Sequence, residues 1–376
     1  MSMSRKEFLR LSGKAMIAMA AIDSGLMSSC ANNPEGGEMI KYKIKELVLK
    51  HTWTIARNSS DVKNNVFVQY EKDGVVGIGE AAPNVRYNET PESTVDTIKK
   101  AIPLFEKYDP WHFVELGDAI KDVVKEQTAA KCAMDIALMD WVGKKLGVPL
   151  YRYFGLDKTK TPLTSFSIGI DTPEVMQQKI REAEPYPVLK IKVGKDNDEE
   201  IMNAVRAVTD KTLRVDANEG WKSKEEALEK IKWLETMNVE FIEQPMPSDM
   251  LEETKWLRDR VNMPIVADEA VKSAADIPML AQAYDGINIK LMKSSGIQEA
   301  MRMIWMARSL NMKIMLGCMI ESGCAITAAS HISPLVDWAD LDGNLLISND
   351  PFKGATVENG RMILPDAPGL GIVGDF

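Results

Sequence analysis

Histidine is nearly missing from this chain: His51, His112 and His331 are the only three in 376 residues, and they lie far apart. Serine–histidine chemistry and zinc chemistry are therefore poorly supported. Cysteine is also scarce. Cys30, Cys132, Cys318 and Cys324 form neither paired CxxC zinc ligands nor a dense disulfide framework. Positive charge is in deficit, with 46 Lys and Arg against 55 Asp and Glu for a net charge of -9. No basic stripe is left to meet phosphates, which argues against nucleic acid as a partner. What remains is ordinary for a soluble globular protein, 45% hydrophobic and 27% charged. The length allows a large core and more than one structural unit.

The amino terminus, "MSMSRKEFLRLSGKAMIAMAAIDSGLMSSC", has a basic start at Arg5 and Lys6 and then a mostly small, apolar segment. That is the plan of a secretory signal, and its apolar part is too short and interrupted to span a bilayer durably. "SRKEFL" resembles a twin-arginine signal with Lys6 in place of the second arginine. "LMSSC" resembles a bacterial lipoprotein cleavage box with Cys30 as the lipidated residue, although Met27 and Ser29 are not the favoured residues there. A frayed amphipathic helix is the alternative. "ANNPEGGE" then reads as a tether. Residues 1–39 are expected to be an export signal and tether. The protein is expected to be exported, periplasmic or lipoprotein-anchored, with membrane contact only through that anchor.

From about residue 40 to 82 alternation dominates in "KIKELVLK", "NNVFVQYE" and "GVVGIGE", and "KDG" marks a hairpin. Residues 92–150 read as helices, and Gly147 closes the last long one. After residue 160 short apolar strands alternate with charged amphipathic helices. Eight strand candidates follow: "LTSFSIGI", "VLKIKVG", "LRVDAN", "VEFIEQP", "PIVADE", "GINIKL", "KIMLGCMIES" and "DWADLDGN". Repeated βα units predict a parallel sheet, and eight of them predict a closed (β/α)8 barrel. The expected division is a capping domain over 40–155, a barrel over 156–350, and a C-terminal segment over 351–376 that packs back on the capping domain.

In "PVLKIKVG" Lys190 and Lys192 share one face of a strand. On a surface strand that face simply meets water; in a buried strand the ammonium groups need partners. Other strands carry their odd charges near the same end. Lys192 to Asp216 is 24 residues, then 27 to Glu243, 25 to Asp268 and 22 to Lys290. Each interval is about one βα unit, so these residues converge on the barrel mouth, where this fold places its active sites. Asp216, Glu243 and Asp268 would repel one another without a cation. All-oxygen ligands favour magnesium, with manganese as an alternative. Asn218 and Glu269 are adjacent supports. Lys192 and Lys290 flank the cluster on opposite sides. Burial, the metal and Lys190 are expected to lower the pKa of the lysine base. The set suits abstraction of a proton α to a carboxylate, with Lys192 as base and Lys190 and the metal steadying the enediolate. If Lys290 returns a proton to the other face, the product is an epimer.

"KIKVG", "VDANEGW", "FIEQP", "ADEA", "INIKLMKSSG" and "CMIES" resemble the muconate-lactonizing subgroup of the enolase superfamily over roughly residues 40–376. "AMDIALMDWVGKKLGVPLY" resembles its domain junction. The resemblance implies an α/β fold: a modified (β/α)8 barrel with an N-terminal α+β capping domain and bound magnesium. "ADLDGN", with Asp340 and Asp342, resembles the D-x-D motif of the dipeptide epimerases, whose aspartates hold a terminal ammonium. An ordinary aspartate pair in a barrel loop is the alternative. Ser167 is implied as a contact to the substrate carboxylate, and Cys318 and Glu321 of "CMIES" as further substrate contacts. Arg57 resembles the arginine that pairs with a glutamate side chain in Ala-Glu epimerases, or else it is a solvated surface residue. The implied activity is epimerisation of the C-terminal residue of a dipeptide, with L-Ala-D/L-Glu favoured. The partner is then a small dipeptide, with a homo-oligomer open. Hydrophobic or cationic dipeptide specificity, o-succinylbenzoate synthesis, muconate cycloisomerisation and a lipid-anchored dipeptide-binding protein are the alternatives.

Overall fold

The computed structural model describes residues 39–376, so the signal, the tether and Cys30 lie outside the described residues. Among the described residues no helix is long and apolar enough to cross a membrane.

Three antiparallel strands open the fold: β1 (Ile40–Thr54), β2 (Ser59–Lys72) and β3 (Val75–Ala81), in the order β1-β2-β3. The turn between β2 and β3 has Asp73 at φ 51° and Gly74 at φ 71°. Two left-handed residues in a two-residue loop match the right-handed twist of the flanking strands. Three helices follow: α1 (Pro91–Lys107), α2 (Phe113–Val123) and α3 (Thr128–Leu146). Thr90 and Ser93 cap α1 reciprocally, with Pro91 in its first turn. Gly147, left-handed at φ 69°, ends α3. Almost every residue of α3 is buried, since it lies between the sheet and the barrel. Gly77 and Gly79 of β3 let that helix come close: a Cβ at either would collide with the Ala137 or Ala133 carbonyl.

The barrel has eight parallel strands: β4 (Phe166–Ile168), β5 (Val188–Lys192), β6 (Thr212–Asp216), β7 (Val239–Glu243), β8 (Ile265–Ala267), β9 (Gly286–Lys290), β10 (Lys313–Gly317) and β11 (Trp338–Asp340). A parallel bridge between Thr164 and Ala339 joins the first strand to the last. All eight correspond to the apolar runs singled out in the sequence. The fold is thus a modified (β/α)8 barrel with an N-terminal α+β capping domain. One hydrophobic core runs through both parts, from Val68 of the cap to Ile136 of α3 and Ile242 of the barrel. The tail returns to the cap: Leu370 N–H donates to Asp140 at 2.7 Å, Tyr151 Oη donates to Asp366 at 2.6 Å, and the Phe376 carbonyl accepts from Lys43 at 3.2 Å.

Candidate active site

Strand register brings the charged residues into one layer. Lys192 is the Cα partner of Asp216, and Asp216 that of Glu243. Gly317 is the partner of both Lys290 and Asp340. Asp268 lies one residue beyond β8. Asp216, Glu243 and Asp268 are buried, and ligand oxygens from all three lie within 4.8 Å of one another. Lys190 is fully buried beneath the mouth, its Nζ 2.7 Å from Glu243, 2.8 Å from Asp340 and 3.2 Å from Asp216. Lys192 Nζ sits 2.5 Å from Asp216, and Lys290 Nζ 2.7 Å from Asp268. Since β5 and β9 are four strands apart in an eight-stranded barrel, these two lysines face each other across it.

The charges shape one another. Burial and the Asp216 charge push Glu243 up to about 8, although Lys190 opposes this. Burial pulls Lys190 down, but Asp340, Glu243 and Asp216 more than offset that and hold it well above its ordinary value. Lys290 is likewise raised, because Asp268 and Glu243 outweigh burial. Carboxylate charge thus dominates around that lysine. Asp268 is held far below the usual carboxylate range against burial by Lys290 and Lys293.

The three carboxylates fit a hard divalent ion. The donor set is all oxygen, and Glu243 Oε2, though close to Lys190, receives no well-directed hydrogen bond among the described residues. Asn288 holds the other Glu243 oxygen at 2.7 Å.

Asp340 Oδ1 accepts from Ser165 at 2.7 Å and Ser167 at 3.1 Å, while Asp342 accepts the Ser167 N–H at 2.6 Å. Ser167 therefore braces the aspartate pair as well as lining the cavity. Burial and Asp340 push Asp342 up to about 7. Arg57 bonds Glu269 at 2.7 Å, the Asn218 carbonyl at 2.7 Å and Glu219 at 3.1 Å. Asn218 Nδ2 also donates to Glu269, at 3.3 Å. Cys318 lines the cavity. Glu321 is buried three residues further on, where it accepts the Met319 N–H at 2.7 Å. One oxygen of its carboxylate folds back onto its own turn.

Sequence reasoning missed Lys293. It is fully buried, and its Nζ bonds Asp268 and the Asn288 carbonyl at 3.2 Å. The available signal was a second lysine, three residues after Lys290 in "IKLMK". Asn218 and Glu219 carry left-handed backbone, φ 44° and 66°, in the turn after β6. For non-glycine residues that conformation is costly, and it is held here by the surrounding bonds. The cavity over this layer is about 550 Å³, closed on the cap side by residues such as Trp53, Arg57 and Arg86.

Opposed lysines over a buried carboxylate triad suit an enzyme that moves protons at carbon. Comparison with known proteins narrows the class. Residues 40–155 match the mandelate racemase / muconate lactonizing enzyme N-terminal domain, and 174–375 match the enolase C-terminal domain-like family. An L-Ala-D/L-Glu epimerase of Bacteroides thetaiotaomicron is 43% identical over 98% of this chain and 99% of its own. An L-Ala-D/L-amino acid epimerase of Pedosphaera parvula is 42% identical over 88% of this chain and 96% of its own. The crystal structure of a dipeptide epimerase from Cytophaga hutchinsonii, complexed with Mg and D-Ala-L-Val, superposes with a TM-score of 0.85 at 28% identity, covering 89% of this chain and 95% of its own. The chain belongs to the mandelate racemase/muconate lactonizing family of the enolase superfamily.

Proposed function

We propose that the protein inverts the α-carbon of the C-terminal residue of a dipeptide, with L-Ala-D/L-Glu favoured. The observation that carries the reading is the pair Lys192 and Lys290, which face each other above the buried triad. One Nζ takes the α-proton, and the other ammonium delivers its own proton to the opposite face, so the centre inverts. Asp216, Glu243 and Asp268 would hold magnesium, whose charge opposes that building on the substrate carboxylate. Lys190, buried below, adds a fixed positive charge toward the same end.

Asp342 and Asp340 suit an ammonium group at the other end of the substrate. An arriving cation favours the ionised form of Asp342. The acidic preference is supported by arginines in the cavity wall and by the substrates named for the Bacteroides relative. An origin in cell-wall peptide, and export with anchoring at Cys30, belong to the same proposal and rest on the sequence of residues 1–30.

The test is proton NMR of the purified protein with magnesium and L-Ala-L-Glu in deuterated water. Loss of the Glu α-proton signal with growth of L-Ala-D-Glu is expected. Exchange only with non-acidic dipeptides would discard the Glu preference. No exchange with any dipeptide would refute the epimerase reading. A dipeptide-binding protein would bind and leave the α-proton in place.

A further inference from the structure

Two arginines of the capping domain converge on one barrel carboxylate, Glu219, and their bonding differs. The Arg57 guanidinium spends Nη1 on the Asn218 carbonyl and Glu219 and Nη2 on Glu269. Glu269 has a side chain only 2% exposed, and its second oxygen has no hydrogen-bond partner among the described residues. Arg57 is therefore the cation that makes burial of Glu269 tolerable. Diverting it to a ligand would strand that carboxylate in low dielectric.

Arg86 is placed otherwise. It sits in the short turn Val85–Tyr87 that follows β3, where the Asn84 side chain accepts the Arg86 N–H at 2.9 Å. Its Nε and Nη2 grip the two oxygens of Glu219, each at 3.0 Å, and Nη2 also reaches Ser248 Oγ at 3.4 Å. Glu219 is fixed in turn by the Ser248 N–H at 3.0 Å. Nη1 of Arg86, with two N–H donors, has no hydrogen bond among the described residues, and Arg86 lines the cavity with its side chain 36% exposed. The guanidinium is thus anchored on one side and uncommitted on the other. That is a preorganised donor for a carboxylate, already relieved of much of its rotamer entropy.

We infer that Arg86 is the specificity-determining contact for an acidic side chain on the substrate's C-terminal residue, and that Arg57 is a positioning residue holding Glu269 and Glu219. The inference rests on the dipeptide reading above and moves the preference for glutamate from Arg57 to Arg86. Lys63 also lines the cavity, but it lies in strand β2 with no anchoring carboxylate among the described residues.

The experiment compares wild type and Arg86→Met on L-Ala-L-Glu and its neutral isostere L-Ala-L-Gln, with magnesium present. A charge-assisted hydrogen bond lost from the substrate predicts that the Glu/Gln ratio of kcat/KM falls by about ten- to a hundredfold, mostly through KM. A ratio that does not move, including equal losses on both dipeptides, overturns the inference. So does a ratio that falls in Lys63→Met and not in Arg86→Met. Should Arg86→Met fail to fold, Arg86→Lys replaces it. It keeps one charge but cannot grip Glu219 and a ligand together, so the ratio should fall severalfold, and an unchanged ratio overturns the inference. A wild type that turns over neither dipeptide fails the dipeptide reading itself, which is a distinguishable result.

Discussion

Glu321 offers a test of how the protein interior treats charge. It is 1% exposed, and its one strong partner is the Met319 N–H at 2.7 Å. Burial, with a smaller push from Glu80, raises its carboxyl from 4.5 to about 8. An acid whose folded pKa is raised keeps its proton in the fold where the unfolded chain has released it. Its contribution to stability is complete below about pH 4.5 and is lost as pH rises toward about 8. At about 1.4 kcal/mol per pH unit, the whole span amounts to about 5 kcal/mol. Glu321→Gln keeps the shape and removes the titration. Urea unfolding of both proteins at pH 5.5, 6.5 and 7.5 should show the variant gaining on wild type by about 1.4 kcal/mol per pH step. A stability difference that stays constant over this range would refute the reasoning, because Glu321 would then be ionised within the fold.

Removing either lysine separates the two faces of the reaction. Lys192→Ala and Lys290→Ala should each lower epimerisation by about 10²- to 10⁴-fold. Each should still wash deuterium into one antipode, and into opposite antipodes, as read by NMR. Chelation with EDTA should abolish exchange and magnesium should restore it. Because Asp268 and Glu243 hold the Lys290 proton on, a cation that shares those carboxylates should lower the lysine pKa. The alkaline-rising limb of kcat/KM should then move to lower pH as magnesium is raised, and a limb independent of magnesium would count against this coupling. Asp342→Asn should raise KM for the free dipeptide about tenfold or more and penalise an N-acetylated dipeptide less; equal effects on both would remove the ammonium role.

Sequence reading went furthest where periodicity and chemistry coincide. The eight strands could be recognised because each is a short apolar run between helix-sized segments. Lys190, Lys192, Asp216, Glu243, Asp268 and Lys290 stood out as charges at the ends of such runs, about one βα unit apart. Lys293 escaped because it lies past the strand, in a turn whose path brings its Nζ back to Asp268. The bond from the Met319 N–H to Glu321 was equally hidden, since one residue's rotamer decides it. The tie of Arg57 and Arg86 to Glu219 joins two capping loops to a turn more than 130 positions away, a meeting that no local pattern encodes.

The glycines of β3 have a consequence for how such an enzyme diversifies. Gly77 and Gly79 seat α3 so near the sheet that even one methyl group at either would strike its backbone. The frame of the cap is therefore intolerant of substitution along that seam. The two segments that close the cavity, the β1–β2 connection bearing Arg57 and the turn bearing Arg86, project beyond it. Substitutions in those two short pieces can reshape the cavity wall like a changed tool bit, while the chuck that grips them stays the same.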